Sequence, residues 1–121
     1  AVAIELRAQS RVNFFRASWI ADYPDEENYL SLFYSKNFAP NGPNYTHFSN
    51  AVFDRLFEEA YHENDRAKRN DLYRKMDSIV MEEAPVVILY YDEVVRFVQK
   101  NITGMTVNPV NMLILKTVDK N

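Results

Sequence analysis

Two stretches of helical periodicity in the middle of the chain place the strongest constraint on its fold. In each stretch apolar residues recur at intervals of three and four positions: Phe53, Leu56, Phe57 and Ala60 in the first, and Leu72, Tyr73, Met76, Ile79 and Val80 in the second. Ser49 or Asn50 is the expected N-cap of the first helix. Asp65 is expected to cap the second helix, and Pro85 to end it. Because each helix is apolar on one face only, both need a partner to cover that face.

Segments rich in β-branched and aromatic residues flank these helices and predict the strands of a sheet. They are Val2–Arg7, where the prediction rests on the alternation of apolar with other residues, and Val12–Ser18, Val86–Tyr91, Val94–Val98 and Met112–Val118. About four residues join the first two segments, too few for a parallel crossover, so we expect them to pair in another way, as a hairpin or with another chain. The order of strands, helices and strands predicts an α/β or α+β fold class, with a small mixed sheet and two packed helices.

Composition and charge exclude several classes of protein. The 121 residues suit one domain, which we expect to span residues 1–121. The 17 acidic and 14 basic residues give a net charge of −3, without the excess of positive charge that binds nucleic acids. The absence of cysteine excludes disulfide frameworks and thiol catalysis. The longest apolar run, Val86–Tyr91, is far shorter than the roughly 20 residues that span a bilayer.

The segment from Phe15 to Pro24 holds the residues with the strongest potential for ligand binding. Arg16, Trp19 and Asp22 follow one another at the end of an expected strand, just before a proline turn. Strand ends beside turns are where α/β folds present ligand groups. A carboxylate such as Asp22 can hold a cationic group, and an indole can stack on an apolar part of a ligand. The alternative is structural: Trp19 lies in the core, and Arg16 pairs with Asp22 on the surface.

Other polar residues give weaker indications of chemistry. Asp22 and Asp25 are candidates for the paired carboxylates of a hydrolase. However, the acidic run Asp25–Glu27 is better explained as the first turn of a short helix. His47 lies in a predicted loop and His62 on a helix, without the spacing of a metal site. No nucleophile motif accompanies them, so we expect no catalytic residues, no cofactor and no bound metal, and the chain is not expected to be an enzyme.

Several blocks of the sequence resemble one family of proteins. The blocks are Arg16–Leu30 (RASWIADYPDEENYL), Tyr45–Asp54 (YTHFSNAVFD), Arg69–Tyr73, Glu82–Tyr91 and Lys100–Met105. In this order, and over residues 12–121, they are similar to the family 5 extracellular solute-binding proteins, the oligopeptide, dipeptide and nickel receptors of bacterial ABC importers. Receptors of this family are several times longer, and the chain begins with Ala1 rather than Met. We therefore expect a C-terminal piece of one lobe of a two-lobe protein.

The resemblance implies a function and a role for each candidate residue. In such receptors two lobes close on a ligand, and an aspartate of the first block binds the α-ammonium group of a peptide. That role falls on Asp22, while Trp19 is expected to line a side-chain pocket and Arg16 to meet a ligand carboxylate. The resemblance further implies import through an ABC permease and an extracytoplasmic location, in the periplasm or as a cell-surface lipoprotein.

Two alternatives stay open at this point. Within the family the same scaffold also holds nickel chelates, haem or sugars, so the ligand can belong to a non-peptide class. The isolated piece can also self-associate, because the rest of the receptor is expected to cover its helix stripes and sheet edges.

Overall fold

The computed structural model describes residues 2–108 and 110–121. Four α-helices occur in that part of the chain: α1 (Val2–Ala8), α2 (Glu27–Leu30), α3 (Ala51–His62) and α4 (Arg66–Glu83). Two 3-10 turns, Ser31–Phe33 and Ser35–Asn37, follow α2. Strands β1 (Ile102–Thr103) and β2 (Asp119–Lys120) form a two-stranded antiparallel sheet. None of the described helices is long and apolar enough to cross a membrane.

Helices α3 and α4 pack against each other and form the core together with residues of the preceding chain. The core residues are Leu30, Phe48, Phe53, Phe57, Ala60, Leu72, Tyr73, Met76 and Val80. Phe53 of α3 and Met76 of α4 are fully buried, and Leu56 and Ile79 are partly buried at the edge. Burial of one such side chain contributes roughly 1.5–3 kcal/mol. Both predicted apolar stripes therefore face the core, and this helix pair carries most of the apolar burial in the described residues.

The N-caps predicted for these two helices are confirmed. The Asn50 side chain accepts hydrogen bonds from the backbone N–H groups of Val52 and Phe53, at 2.8 and 3.0 Å. The Asp65 carboxylate accepts two equivalent bonds at the start of α4, at 2.8 and 3.2 Å. These bonds satisfy N–H groups that have no partner within the helix. Helix α4 ends at Glu83, two residues before the predicted stop.

The chain between α2 and α3 packs aromatic rings onto α3. Phe48 meets Phe53 edge to face, with 5.8 Å between the ring centroids, and Tyr34 stacks on Phe57 at 4.6 Å. The buried Asn44 holds the loop in place, because its Nδ2 atom donates to the carbonyl oxygens of Tyr34 and Phe48 at 3.1 and 3.0 Å. The loop is thus ordered by its own side chains.

The predicted strand Val2–Arg7 is wrong, because these residues form α1. Alternation of apolar and other residues over so few positions does not distinguish a strand from a helix. Alanine, leucine, glutamate and arginine have high helix propensity, and the supposed inward residues Val2 and Ile4 are 69% and 61% exposed. The expected hairpin between this segment and Val12–Ser18 is therefore absent from the described residues.

The other predicted strands lie outside any β-ladder in the part of the chain that the structure describes. They are Val12–Ser18, Val86–Tyr91, Val94–Val98 and Met112–Val118. Their β-branched composition favours extended backbone, but a strand is stabilised only by a neighbour that accepts and donates its hydrogen bonds. The side chains of these segments are largely exposed, up to 95% for Phe97. The fold class is confirmed as two packed helices with a small sheet, but β1 and β2 form that sheet, and it is antiparallel.

Candidate functional site

The chain between the segment 12–18 and α2 forms a loop, here called the Asp22 loop (residues 19–26). Trp19 fixes its first end, since the indole Nε1 donates a hydrogen bond to Oδ1 of Asn28 at 2.7 Å. Asn28 is buried on α2, whereas Trp19 remains 39% exposed. Trp19 is therefore not a core residue, as the structural alternative required. The bond holds the indole beside α2 and leaves part of its surface open to a ligand.

The second half of the Asp22 loop folds onto the start of α2. Tyr23 donates a hydrogen bond from its hydroxyl to the Glu27 carboxylate. Its carbonyl oxygen accepts from the backbone N–H of Asp25 at 2.9 Å. The bond to Glu27, followed by partial burial, raises the pKa of Tyr23. The phenol therefore stays protonated and remains a donor at neutral pH.

Asp25 joins the Asp22 loop to α4. Its Oδ1 atom accepts from the Tyr73 hydroxyl at 2.9 Å and from the backbone N–H of Glu27 at 3.0 Å. Its Oδ2 atom lies 3.5 Å from Nη2 of Arg69. Burial, and next the bond to Asp25, raise the pKa of Tyr73 well above its usual range. The bond to the Glu27 N–H confirms the prediction that the acidic run begins a short helix.

Asp22 itself differs from Asp25 in its surroundings. It is exposed, and its carboxylate has no hydrogen bond or ion pair with any residue in 2–108 or 110–121. The side chain thus keeps its capacity to accept hydrogen bonds from an external cation. An exposed carboxylate on a loop that is tied down on both sides combines availability with a defined position.

Arg16 contacts Tyr90 and not Asp22. Its Nη2 atom donates to the Tyr90 hydroxyl at 2.6 Å, and its guanidinium carbon is 6.0 Å from the centroid of that ring. The predicted surface pair of Arg16 with Asp22 is absent from the ion pairs of the described residues. Tyr90 was missed in the sequence because it lies in an apolar run that predicts a strand. Its phenol among aliphatic residues was the signal that could have indicated a polar contact.

The remaining candidates, Asp25 and His47, make contacts within the fold. Asp25, the partner predicted for Asp22 in a carboxylate pair, is engaged by Tyr73 and Arg69. His47 stacks on Phe38 with 4.9 Å between ring centroids, and its Nε2 lies 3.1 Å from the carbonyl oxygen of Ala8. No group of three or more His, Asp or Glu side chains in the described residues is placed to hold a metal ion.

Comparisons with known proteins agree with the sequence blocks. No family model matches the chain. It is 28% identical over 120 residues, 99% of its length, to the dipeptide-binding protein DppE of Bacillus subtilis, of which this covers 21%. Over 89 residues, 74% of its length, it is 30% identical to YgiS of Escherichia coli, described as a probable deoxycholate-binding periplasmic protein, and covers 16% of it.

A solved structure of a binding protein is also similar to this chain. The unliganded open form of MppA, a periplasmic murein tripeptide binding protein, matches 69% of this chain with a TM-score of 0.63 and 31% identity. The match covers 16% of that structure. The chain thus spans about a fifth of the length of the relatives that it matches, such as DppE at 21%. Its homologues are the family 5 extracellular solute-binding proteins, and the chain corresponds to a segment of their fold.

Proposed function

We propose that this chain is a segment, folded as one domain, of an extracytoplasmic receptor that binds peptides and delivers them to an ABC importer. It performs no catalysis. The observation that carries the proposal is the exposed Asp22 carboxylate on a loop held by Trp19 and Asp25. The homologues support this function, since DppE is a dipeptide-binding protein and MppA binds a murein tripeptide.

The proposed mechanism rests on the one group that all unmodified peptides share. Asp22 accepts hydrogen bonds from the α-ammonium group, whichever side chains follow it. Trp19 provides an apolar face beside this anchor, against which a ligand side chain packs. Arg16 exchanges the Tyr90 hydroxyl for a ligand carboxylate when the peptide is of suitable length. A second lobe, outside this chain, closes over the ligand.

Native mass spectrometry of the full receptor, purified gently, tests the ligand class. We expect a ladder of short peptide masses released from the protein, because an anchor on the α-ammonium group does not select side chains. A single mass that belongs to a metal chelate, a haem, a sugar or a steroid would contradict it. The receptor after unfolding and refolding is the control, since it should carry no ladder.

A bile-acid ligand is the second candidate, favoured by the 30% identity to YgiS. Deoxycholate carries a carboxylate and no amine, so the cationic Arg16 would be its charge partner and Asp22 would have none. The two candidates therefore differ at Asp22, which binds the ligand amine in the first and has no charge partner in the second, whereas Arg16 meets a carboxylate in both.

We also propose that the 121-residue piece self-associates when it is isolated. Residues 87–98 expose large apolar side chains, among them Leu89 at 69% and Phe97 at 95%. Monomeric proteins rarely expose contiguous apolar patches of more than a few hundred Å². Sedimentation velocity should show dimers or larger species whose fraction rises with concentration. Phe97→Lys should reduce association and Val52→Lys, on exposed α3 surface, should not; a strict monomer would refute the proposal.

A further inference from the structure

The Asp22 loop is attached to α4 at one point, the Asp25 carboxylate. Two side chains of α4 reach it, Tyr73 at 2.9 Å and Arg69 at 3.5 Å. They are 48 and 44 positions further along the chain, so this is a tertiary contact and not a local turn. The second hydrogen-bond donor to this carboxylate, the backbone N–H of Glu27 at 3.0 Å, is local.

Helix capping explains only part of this arrangement. An aspartate at the start of a helix accepts bonds from nearby backbone N–H groups, which accounts for the contact with Glu27. It does not account for a buried phenol whose hydroxyl points at the carboxylate. Tyr73 is 7% exposed and belongs to the core, so its position is set by the packing of α4. The hydroxyl is thus a fixed donor, and the loop is the part that adapts to it.

Asp22 depends on this attachment for its own position. Its side chain has no partner among residues 2–108 and 110–121, so nothing except the backbone of the loop orients it. The backbone is held by Trp19 on one side, through Asn28, and on the other by the bond from Tyr23 to Glu27 and by Asp25. Asp25 is the contact among these that reaches α4, and its loss lets the carboxylate of Asp22 move relative to a bound ligand.

We propose that Asp25 is a positioning residue, which holds the Asp22 loop on α4 through Tyr73 and Arg69 so that the Asp22 carboxylate meets the ligand amine in one place. The ligand part of this proposal rests on the proposed function. The attachment of the loop does not, and it can be measured without a ligand. The raised pKa of Tyr73 agrees with this role, because the phenol stays a donor throughout the neutral range.

Tyr73→Phe in the full receptor is the test, because it removes one hydroxyl and keeps the ring in the core. Hydrogen exchange in the unliganded protein should become about three- to tenfold faster in residues 19–26, the effect of one net hydrogen bond. Exchange within α3 should stay unchanged. Asp25→Asn, which keeps an oxygen acceptor for Tyr73 and loses the charge facing Arg69, should show a smaller increase. Tyr61→Phe is the matched control, since Tyr61 is 75% exposed on α3.

Ligand titration separates the two parts of the proposal. Tyr73→Phe should weaken the binding of a peptide with an unmodified amine about three- to tenfold, and the binding of its N-acetylated form much less. Unchanged exchange in residues 19–26 would overturn the positioning role of Asp25, whatever the affinities. Faster exchange with equal losses for both peptides would confirm the attachment and refute the amine contact of Asp22. The failure of one proposal is therefore distinguishable from the failure of the other.

Discussion

Asp22→Ala in the full receptor is expected to weaken the binding of a peptide with an unmodified α-amine by about 10- to 100-fold. A hydrogen bond to a charged group contributes about 1.5–3 kcal/mol, and each 1.4 kcal/mol is about a tenfold change in Kd. Titration calorimetry of the purified, ligand-stripped protein measures the change. Stability should hardly respond, because Asp22 is exposed and has no partner in the described residues.

Glu26→Ala is the matched control for this variant. Glu26 lies in the same loop, is exposed, and its side chain makes no cap hydrogen bond at α2. Glu26→Ala removes the same charge as Asp22→Ala at nearly the same place. If Asp22 acted only by general electrostatic attraction, both substitutions would weaken binding equally. Comparable losses for Glu26→Ala and Asp22→Ala would argue against a specific anchor.

Phe53→Ala is expected to have the largest effect on stability. Phe53 is fully buried and lies among three other rings, at 5.8 Å from Phe48, 6.3 Å from Phe57 and 6.4 Å from Phe33. Truncation of a buried phenylalanine costs about 3–5 kcal/mol, because contacts are lost and a cavity remains. Native-state hydrogen exchange measures the opening of the α3–α4 helix pair within a larger protein. The slowest amides of α3 and α4 should exchange more than about a hundredfold faster.

An exposed aromatic residue on the same helix gives the comparison. Tyr61→Ala removes a ring of similar size that is 75% exposed, and should change the free energy of opening by less than about 0.5 kcal/mol. If both variants lowered protection alike, Phe53 would not be the centre of a packed core.

The local part of the fold could be predicted from the sequence. Asn50 and Asp65 cap their helices through bonds that span two or three residues, and the apolar stripes repeat with the helical period. Such signals are contained in short windows. In α1 the same reasoning failed, because alternation in Val2–Arg7 agreed with a strand and the window was too short to decide.

Contacts between distant parts of the chain could not be predicted. The segment Val86–Tyr91 has the composition of a strand, but composition does not supply a neighbouring strand, and none pairs with it in the described residues. Trp19, Asp22 and Arg16 are candidates that a short motif indicates, whereas the bond from Tyr73 to Asp25 joins residues 48 positions apart. Such a contact depends on how α4 packs, which no local pattern encodes.

Four titrations test the central claim most directly: wild-type and Asp22→Ala receptors, each with one peptide in its unmodified and its N-acetylated form. We expect Asp22→Ala to weaken binding of the unmodified peptide about 10- to 100-fold and to leave the already weak binding of the acetylated peptide nearly unchanged. The effects of Asp22→Ala and of acetylation on the binding free energy are then not additive, as expected when the Asp22 carboxylate contacts the peptide amine. Equal losses for both peptides would show that Asp22 does not contact the amine, and would contradict the account.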